Sequence, residues 1–177
     1  ILVIVDKNGN PLDQSVCFSA LDELKKRGPD LTVSSFPSKN IFFAQSILSI
    51  VGPQEKKGLN HLRSQSRRYQ LLFNGEIYNY SELERKHLSQ QHNNPYRTID
   101  ANVLINLFET IKSSHIPHLL DGMYAYATYD HLNNTIDITR DPQGEKSLFI
   151  YENETTLVIS SIIPPILKVS NHISYNY

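Results

Sequence analysis

Cysteine is nearly absent: Cys17 is the only one in 177 residues. A lone cysteine cannot close an intrachain disulfide or build a cysteine metal cluster, and it fits a reducing, cytoplasmic compartment. Long apolar runs are missing too, so no segment reads as a membrane span. The opening Ile1-Leu2-Val3-Ile4-Val5-Asp6 is too short for a signal-peptide core and lacks a basic flank or small-residue cleavage site. Neither sign of charge is in excess, with 17 basic and 18 acidic side chains, so nothing suggests a nucleic-acid or anionic membrane surface. Arg63, Arg67 and Arg68 gather in a polar run and read as part of a solvated loop. The seven histidines are scattered, and His115 and His118 have no thiol or carboxylate at ligand spacing, so no metal site is expected.

What is present suits one soluble domain. Apolar residues make up 40% of the chain, and a chain of about 150 residues already buries about 70% of its unfolded surface. Ile1 to Val5 is a continuous apolar run closed by a turn at Asp6-Lys7-Asn8-Gly9-Asn10-Pro11, the pattern of a buried strand. From Leu12 to Lys26, Val16, Ala20 and Leu24 recur at helical spacing with Cys17 and Leu21 beside them, until Gly28-Pro29 stops the pattern. Cys17 should then face the core. Short strands are expected at Ile41 to Ala44, Ile47 to Val51 and Tyr69 to Phe73, with the polar, basic loop before the last. Ser81-Glu82-Leu83-Glu84 has the reciprocal capping arrangement and predicts a helix running towards Gln91. A longer helix is expected from Asp100 to Lys112, with Val103, Leu104, Leu107, Phe108 and Ile111 on one face. Met123 to Asp130, Thr135 to Arg140, Ser147 to Tyr151 and Thr156 to Ser160 read as an antiparallel meander. Pro164-Pro165 is expected to end the regular pattern, leaving Val169 to Tyr177 as a tail, a linker or an extra strand.

Four segments occur in one order: Arg27-Gly28-Pro29-Asp30, Leu48-Ser49-Ile50-Val51, Phe73-Asn74-Gly75-Glu76-Ile77-Tyr78-Asn79-Tyr80, and Gly122 to Ala127 through Arg140-Asp141-Pro142-Gln143-Gly144-Glu145-Lys146. Together they resemble the glutaminase domain of asparagine synthetases, a class II glutamine amidotransferase of the N-terminal-nucleophile hydrolases, over nearly the whole chain. The resemblance implies an α+β, four-layer αββα sandwich of two antiparallel sheets over residues 1–168, with 169–177 leading towards a missing synthetase domain. It also implies hydrolysis of glutamine to glutamate and ammonia. In that family an N-terminal cysteine attacks the side-chain amide, and its own α-amine, titrating near pH 8, can take the thiol proton.

By the same resemblance Asn74, through its side-chain amide, and Gly75, through its backbone N–H, form the oxyanion hole. Leu48, Val51, Glu76 and Asp100 contact the substrate, with Glu76 on the amide and Asp100 on the α-ammonium. Each has a plainer reading. Asn-Gly between apolar runs is a hairpin signal, and Asp100 stands where an aspartate caps a helix. Arg27 and Asp30 shape the turn after the first helix, and Arg140 and Asp141 are expected to form a buried ion pair.

The sequence departs from the family in two places that matter. No cysteine, serine or threonine stands at or beside Ile1, so the nucleophile is expected in a prefix just before Ile1. Ile47 replaces the arginine that binds the glutamine α-carboxylate, a charge-assisted contact worth roughly 1.5–3 kcal/mol. Lesser changes are Asn102 and Ile162 where glutamate is common. Two readings follow: a glutaminase feeding ammonia to an ATP-dependent synthetase that forms an amide such as asparagine, or a catalytically silent scaffold of the same fold beside a synthetase using another amine, as in β-lactam-synthetase-like relatives. A binding domain for a glutamine-like ligand is a third. No cofactor is expected in this domain, with ATP and Mg confined to the synthetase domain, and a homodimer is an option for the longer protein.

Overall fold

The computed structural model describes residues 1–28, 30–47, 62–88 and 99–174. These form two compact units, one of residues 1–60 with 147–177, the other of residues 61–146. Each has its own antiparallel sheet and helices, which makes the chain α+β.

In the first unit β1 (Leu2–Asp6) lies centrally, because its residues are apolar on both faces and need cover on both. It pairs with β3 (Ile41–Ile47) on one side and β9 (Thr156–Ser160) on the other. β2 (Leu31–Ser38) and β8 (Phe149–Glu152) are the edges, giving the order β2-β3-β1-β9-β8. Helix α1 (Gln14–Lys25) begins at Asp13, whose carboxylate accepts the Ser15 N–H at 2.8 Å, a cap worth about 1 kcal/mol. Its buried Cys17, Ala20, Leu21 and Leu24 meet Leu2, Ile4, Phe42, Ala44 and Val158 of the sheet together with Ile166 and Val169 of α4 (Ile163–Ser174). The regular structure thus continues past residue 168. Pro164 and Pro165 open α4, where a missing N–H costs nothing.

In the second unit the order is β4 (Leu62–Arg63), β5 (Tyr69–Ile77), β6 (Gly122–Asp130) and β7 (Thr135–Arg140). Helix α3 (Asp100–Thr110) buries Ala101, Val103, Leu104, Ile105, Leu107 and Phe108 in a cluster that holds Leu71, Phe73 and Ile77 of β5. Helix α2 (Tyr80–His87) adds Leu83 to it. The chain between α3 and β6 makes a 3-10 helix at Ser113–His118.

Several expectations are corrected. The proposed meander is divided: β6 and β7 pair in one sheet, while β8 and β9 belong to the other. The capping arrangement at Ser81 does not form, because α2 already starts at Tyr80 after Asn79. Arg68 is not a solvated loop residue. Its guanidinium clamps Asp130 through Nε at 2.9 Å and Nη2 at 2.6 Å and lies over the Tyr69 ring. The helix expected to run towards Gln91 ends at His87, with Leu88 extended, and the predicted strand residues 48–51 lie outside the described residues.

Asp130 also accepts the N–H groups of Leu132 and Asn133 at the turn between β6 and β7. The Arg68 hydrogen bond first, then those N–H groups, bring its carboxyl down to about 2. A carboxyl held below its unfolded value adds stability that is present above about pH 4 and lost as the pH falls towards 2. Allowing for the one-third exposure of Arg68, the contribution is about 1–2 kcal/mol. Denaturant unfolding of the wild type and Asp130→Asn should therefore show a stability gap at pH 6 that narrows below pH 4. A gap unchanged at pH 2 would show that this pair carries none of it.

Candidate functional site

Asn74 and Gly75 are not a hairpin turn. They sit within β5, paired in register with Ala125 and Tyr124 of β6. In an antiparallel ladder, opposed residues alternate between pairs that exchange hydrogen bonds and pairs that do not. The Tyr78 N–H, just past the strand, donates to the Asp121 carbonyl at 2.7 Å, so it faces the β6 side. Ile77 and Gly75 consequently turn their N–H groups the other way. The Tyr124 carbonyl agrees, since it accepts the Asp141 N–H at 2.7 Å from the β7 side.

Among the described residues, β4 pairs on this side of β5 with Gln70 and Leu71. The Ile77 N–H finds Oδ2 of Asp100 at 3.0 Å. The Gly75 N–H has no hydrogen-bond partner among the described residues. It is a backbone donor held by the ladder and directed away from β6. Only glycine fits there. At φ +144° a Cβ on Gly75 would lie 2.1 Å from the Met123 carbonyl oxygen and 2.6 Å from the Tyr124 Cα.

Strand alternation turns Phe73 and Ile77 towards α3 and sends the half-buried Asn74 and the exposed Glu76 to the opposite face. The surroundings of Glu76 are acidic. The exposed Tyr78 hydroxyl is pushed up in pKa, first by partial desolvation and then by Glu145, Glu76, Asp121 and Asp141. Asp100 is the first residue of α3, with Ile99 as its N-cap, and its Oδ1 accepts the Ala101 N–H at 2.8 Å. Asn79 fastens the far end of the motif, donating to the Leu119 carbonyl at 2.8 Å and accepting the Asp121 N–H at 3.1 Å. Leu48 and Val51 lie outside the described residues.

In the other unit, Ile1 is buried, and its nitrogen donates to the Ser161 Oγ at 2.9 Å while its carbonyl accepts the Ser161 N–H at 3.0 Å. Burial, and then the charge of Arg27, lower an amine at this nitrogen to about 5. Gly28 lies so close to the end of β3 that a Cβ on it would meet the Ile47 backbone at 2.7 Å. Cys17 is no nucleophile: burial first and then Asp13 push its thiol up to about 12, which leaves it protonated at neutral pH.

The expected Arg140–Asp141 ion pair does not form among the described residues. Asp141 is buried, but its carboxylate is met by the N–H groups of Glu145 at 2.9 Å and Lys146 at 3.1 Å, which close a turn. Burial alone would raise its pKa, and these N–H groups together outweigh it. Sequence reasoning did not single out Ser161 as a partner of Ile1, since nothing local signals a contact across 160 positions. Asn79 could have been found as the last residue of Asn-Gly-Glu-Ile-Tyr-Asn. No cluster of three or more potential metal ligands occurs among the described residues. Nor is any helix of the described residues long and apolar enough to cross a membrane.

A model of the glutamine amidotransferase domain matches residues 1–176, and the chain belongs to that family. It is 37% identical over 123 residues to a putative glutamine-hydrolysing asparagine synthetase 1 of Methanocaldococcus jannaschii, covering 69% of this chain and 21% of that protein. Over 146 residues it is 28% identical to asparagine synthetase 3 of Bacillus subtilis, covering 82% of the chain and 23% of that protein. The chain therefore spans about a fifth of the length of these relatives. Among solved structures, glutamine phosphoribosylpyrophosphate amidotransferase from B. subtilis shares the fold, with a TM-score of 0.66 at 17% identity, covering 96% of this chain and 43% of that one.

Proposed function

We propose that this domain is the glutaminase part of a longer, asparagine-synthetase-like enzyme, hydrolysing glutamine and delivering ammonia to an ATP-dependent, Mg-requiring synthetase domain in the cytoplasm. The observation that carries this reading is the Gly75 N–H, directed away from β6 and without a hydrogen-bond partner among the described residues, next to Asn74 in a chain of the amidotransferase family.

The chemistry follows from those donors. A cysteine thiol supplied just before Ile1 gives its proton to its own α-amine, and the thiolate attacks the amide carbon of glutamine. The Gly75 N–H and the Asn74 amide receive the charge on the carbonyl oxygen. The C–N bond breaks, ammonia leaves with a proton, and water hydrolyses the thioester to glutamate. The buried nitrogen of Ile1 suits this arrangement, because an amide N–H can donate to Ser161 without the desolvation cost of an ammonium. Leu48, Val51 and Glu76 would line the glutamine, and Asp100 would meet its α-ammonium with the lone pairs left on its two oxygens.

Ile47 favours the alternative of a silent scaffold, because β3 ends in an apolar side chain where the family carries a carboxylate anchor. Both readings meet in one experiment. In a chain carrying Met-Cys-Gly before Ile1, Ile47→Arg should lower the KM for glutamine about tenfold or more, roughly 1.5 kcal/mol of recovered binding. Glutamate release that is absent with and without the arginine favours the scaffold.

A further inference from the structure

We propose that Asp100 is a positioning residue, whose carboxylate holds the end of β5 so that the Gly75 N–H keeps a fixed direction. This rests on the glutaminase reading for its purpose but not for its geometry. Among the described residues, Gln70 and Leu71 are the β5 residues paired by a strand on this side, and how firmly a strand end is held depends on the contacts that tie it. Ile77 is where the end is tied. Its N–H and that of Gly75 point the same way, two residues apart, and Asp100 Oδ2 accepts the former at 3.0 Å. The carboxylate is itself fixed, because Oδ1 accepts the Ala101 N–H at 2.8 Å at the start of a helix whose apolar face is buried.

Asp100 thus spans two elements, and its rigidity comes from α3. Gly75 needs that help more than most residues, since glycine at φ +144° has no side chain to anchor it. A donor misplaced by about 1 Å can cost roughly a hundredfold in rate. Asp100 would therefore act on catalysis through Gly75 as well as on binding through its charge, and the two effects separate in kcat and KM.

Two variants and two readouts test this. In Asp100→Asn the side-chain oxygen can still accept the Ile77 N–H, whereas Asp100→Ala removes it. Nitrogen-15 relaxation on the 177-residue chain reads the position directly. The Gly75 and Ile77 N–H vectors should keep order parameters of about 0.85 in the wild type and Asp100→Asn and fall towards about 0.6 in Asp100→Ala. In the cysteine-bearing chain KM should rise in both variants, because both lose the charge, while kcat falls about tenfold or more only in Asp100→Ala. If the alanine variant does not fold, Asp100→Ser, too short to reach Ile77, takes its place. Rigid N–H vectors in the alanine or serine variant would overturn the proposal, as would equal kcat in the asparagine and alanine variants. An inactive cysteine-bearing chain would instead count against the glutaminase reading, while the relaxation measurement would still decide this one.

Discussion

Asn74→Ala, made in a chain that carries Met-Cys-Gly before Ile1, should lower kcat for glutamine hydrolysis by about two to three orders of magnitude, or roughly 3–4 kcal/mol of barrier. The reason is the small number of donors at the site. Gly75 offers one N–H directed away from β6, and in the proposed mechanism the Asn74 amide is the second donor. Charge appears on the substrate oxygen only as the tetrahedral species forms, so a lost donor should appear in kcat far more than in KM. Asn74 is half-buried on a strand whose register is set by its neighbours, so the variant should fold. A variant that keeps kcat and raises KM would place Asn74 in substrate binding, and one that changes neither would remove it from the site.

The second large effect concerns stability and pH. A chain made to begin at Ile1 should lose up to about 4 kcal/mol of stability between pH 8 and pH 5. In the unfolded state its amine is protonated below about 8, whereas in the folded state burial and Arg27 hold it unprotonated down to about 5. Between those values the unfolded chain binds the extra proton, so stability rises with pH across that window. A loss of this size is a large part of the roughly 5–15 kcal/mol that holds a domain together. Placing Cys-Gly before Ile1, or acetylating the amine, turns the nitrogen into an amide and should abolish this part of the pH dependence. Denaturant unfolding of both forms at pH 5, 6.5 and 8 provides the check. Parallel pH profiles would show that the Ile1 nitrogen is not buried as described.

The elements whose pattern is strong and local were legible in the sequence. The apolar run Leu2–Val5, the period of α1 and α3, and the β-branched and aromatic residues of β6, β7 and β9 each point to one structure and form it. The misreadings have a common cause. The strand expected to end at Phe73 runs on to Ile77, because a glycine with no Cβ at Gly75 lets β5 and β6 approach closely, a fact of pairing that lies about fifty residues away. β2 was not foreseen because Leu31-Thr32-Val33-Ser34-Ser35-Phe36-Pro37-Ser38 is half polar and sits on an edge. Pro164-Pro165 looked like a stop and was a start, since the same ring that breaks a helix interior is harmless in its first turn.

The placement of the candidate site residues was partly legible for the same reason. Asn74, Gly75, Glu76 and Asp100 could be named, and three of them are consecutive on β5 with the fourth bonded to its last residue. The direction of the Gly75 N–H could not be read, because it depends on the parity of the ladder with β6. The partner of Asp141 was misassigned to the adjacent Arg140, although a turn supplied backbone N–H groups at less entropic cost than a long side chain.

The most direct measurement is glutamate release from glutamine by three chains: one with Met-Cys-Gly before Ile1 and the methionine removed to free the cysteine, the same chain with serine in place of that cysteine, and one beginning at Ile1. The expected result is turnover in the first and none above buffer background in the one beginning at Ile1, with the serine form slower by orders of magnitude, because neither Cys17 nor the donors proposed at residues 74 and 75 can replace a thiolate. Turnover by the chain beginning at Ile1 would contradict the mechanism, and a folded cysteine-bearing chain that releases no glutamate, even with Ile47→Arg, would contradict the assignment as a glutaminase.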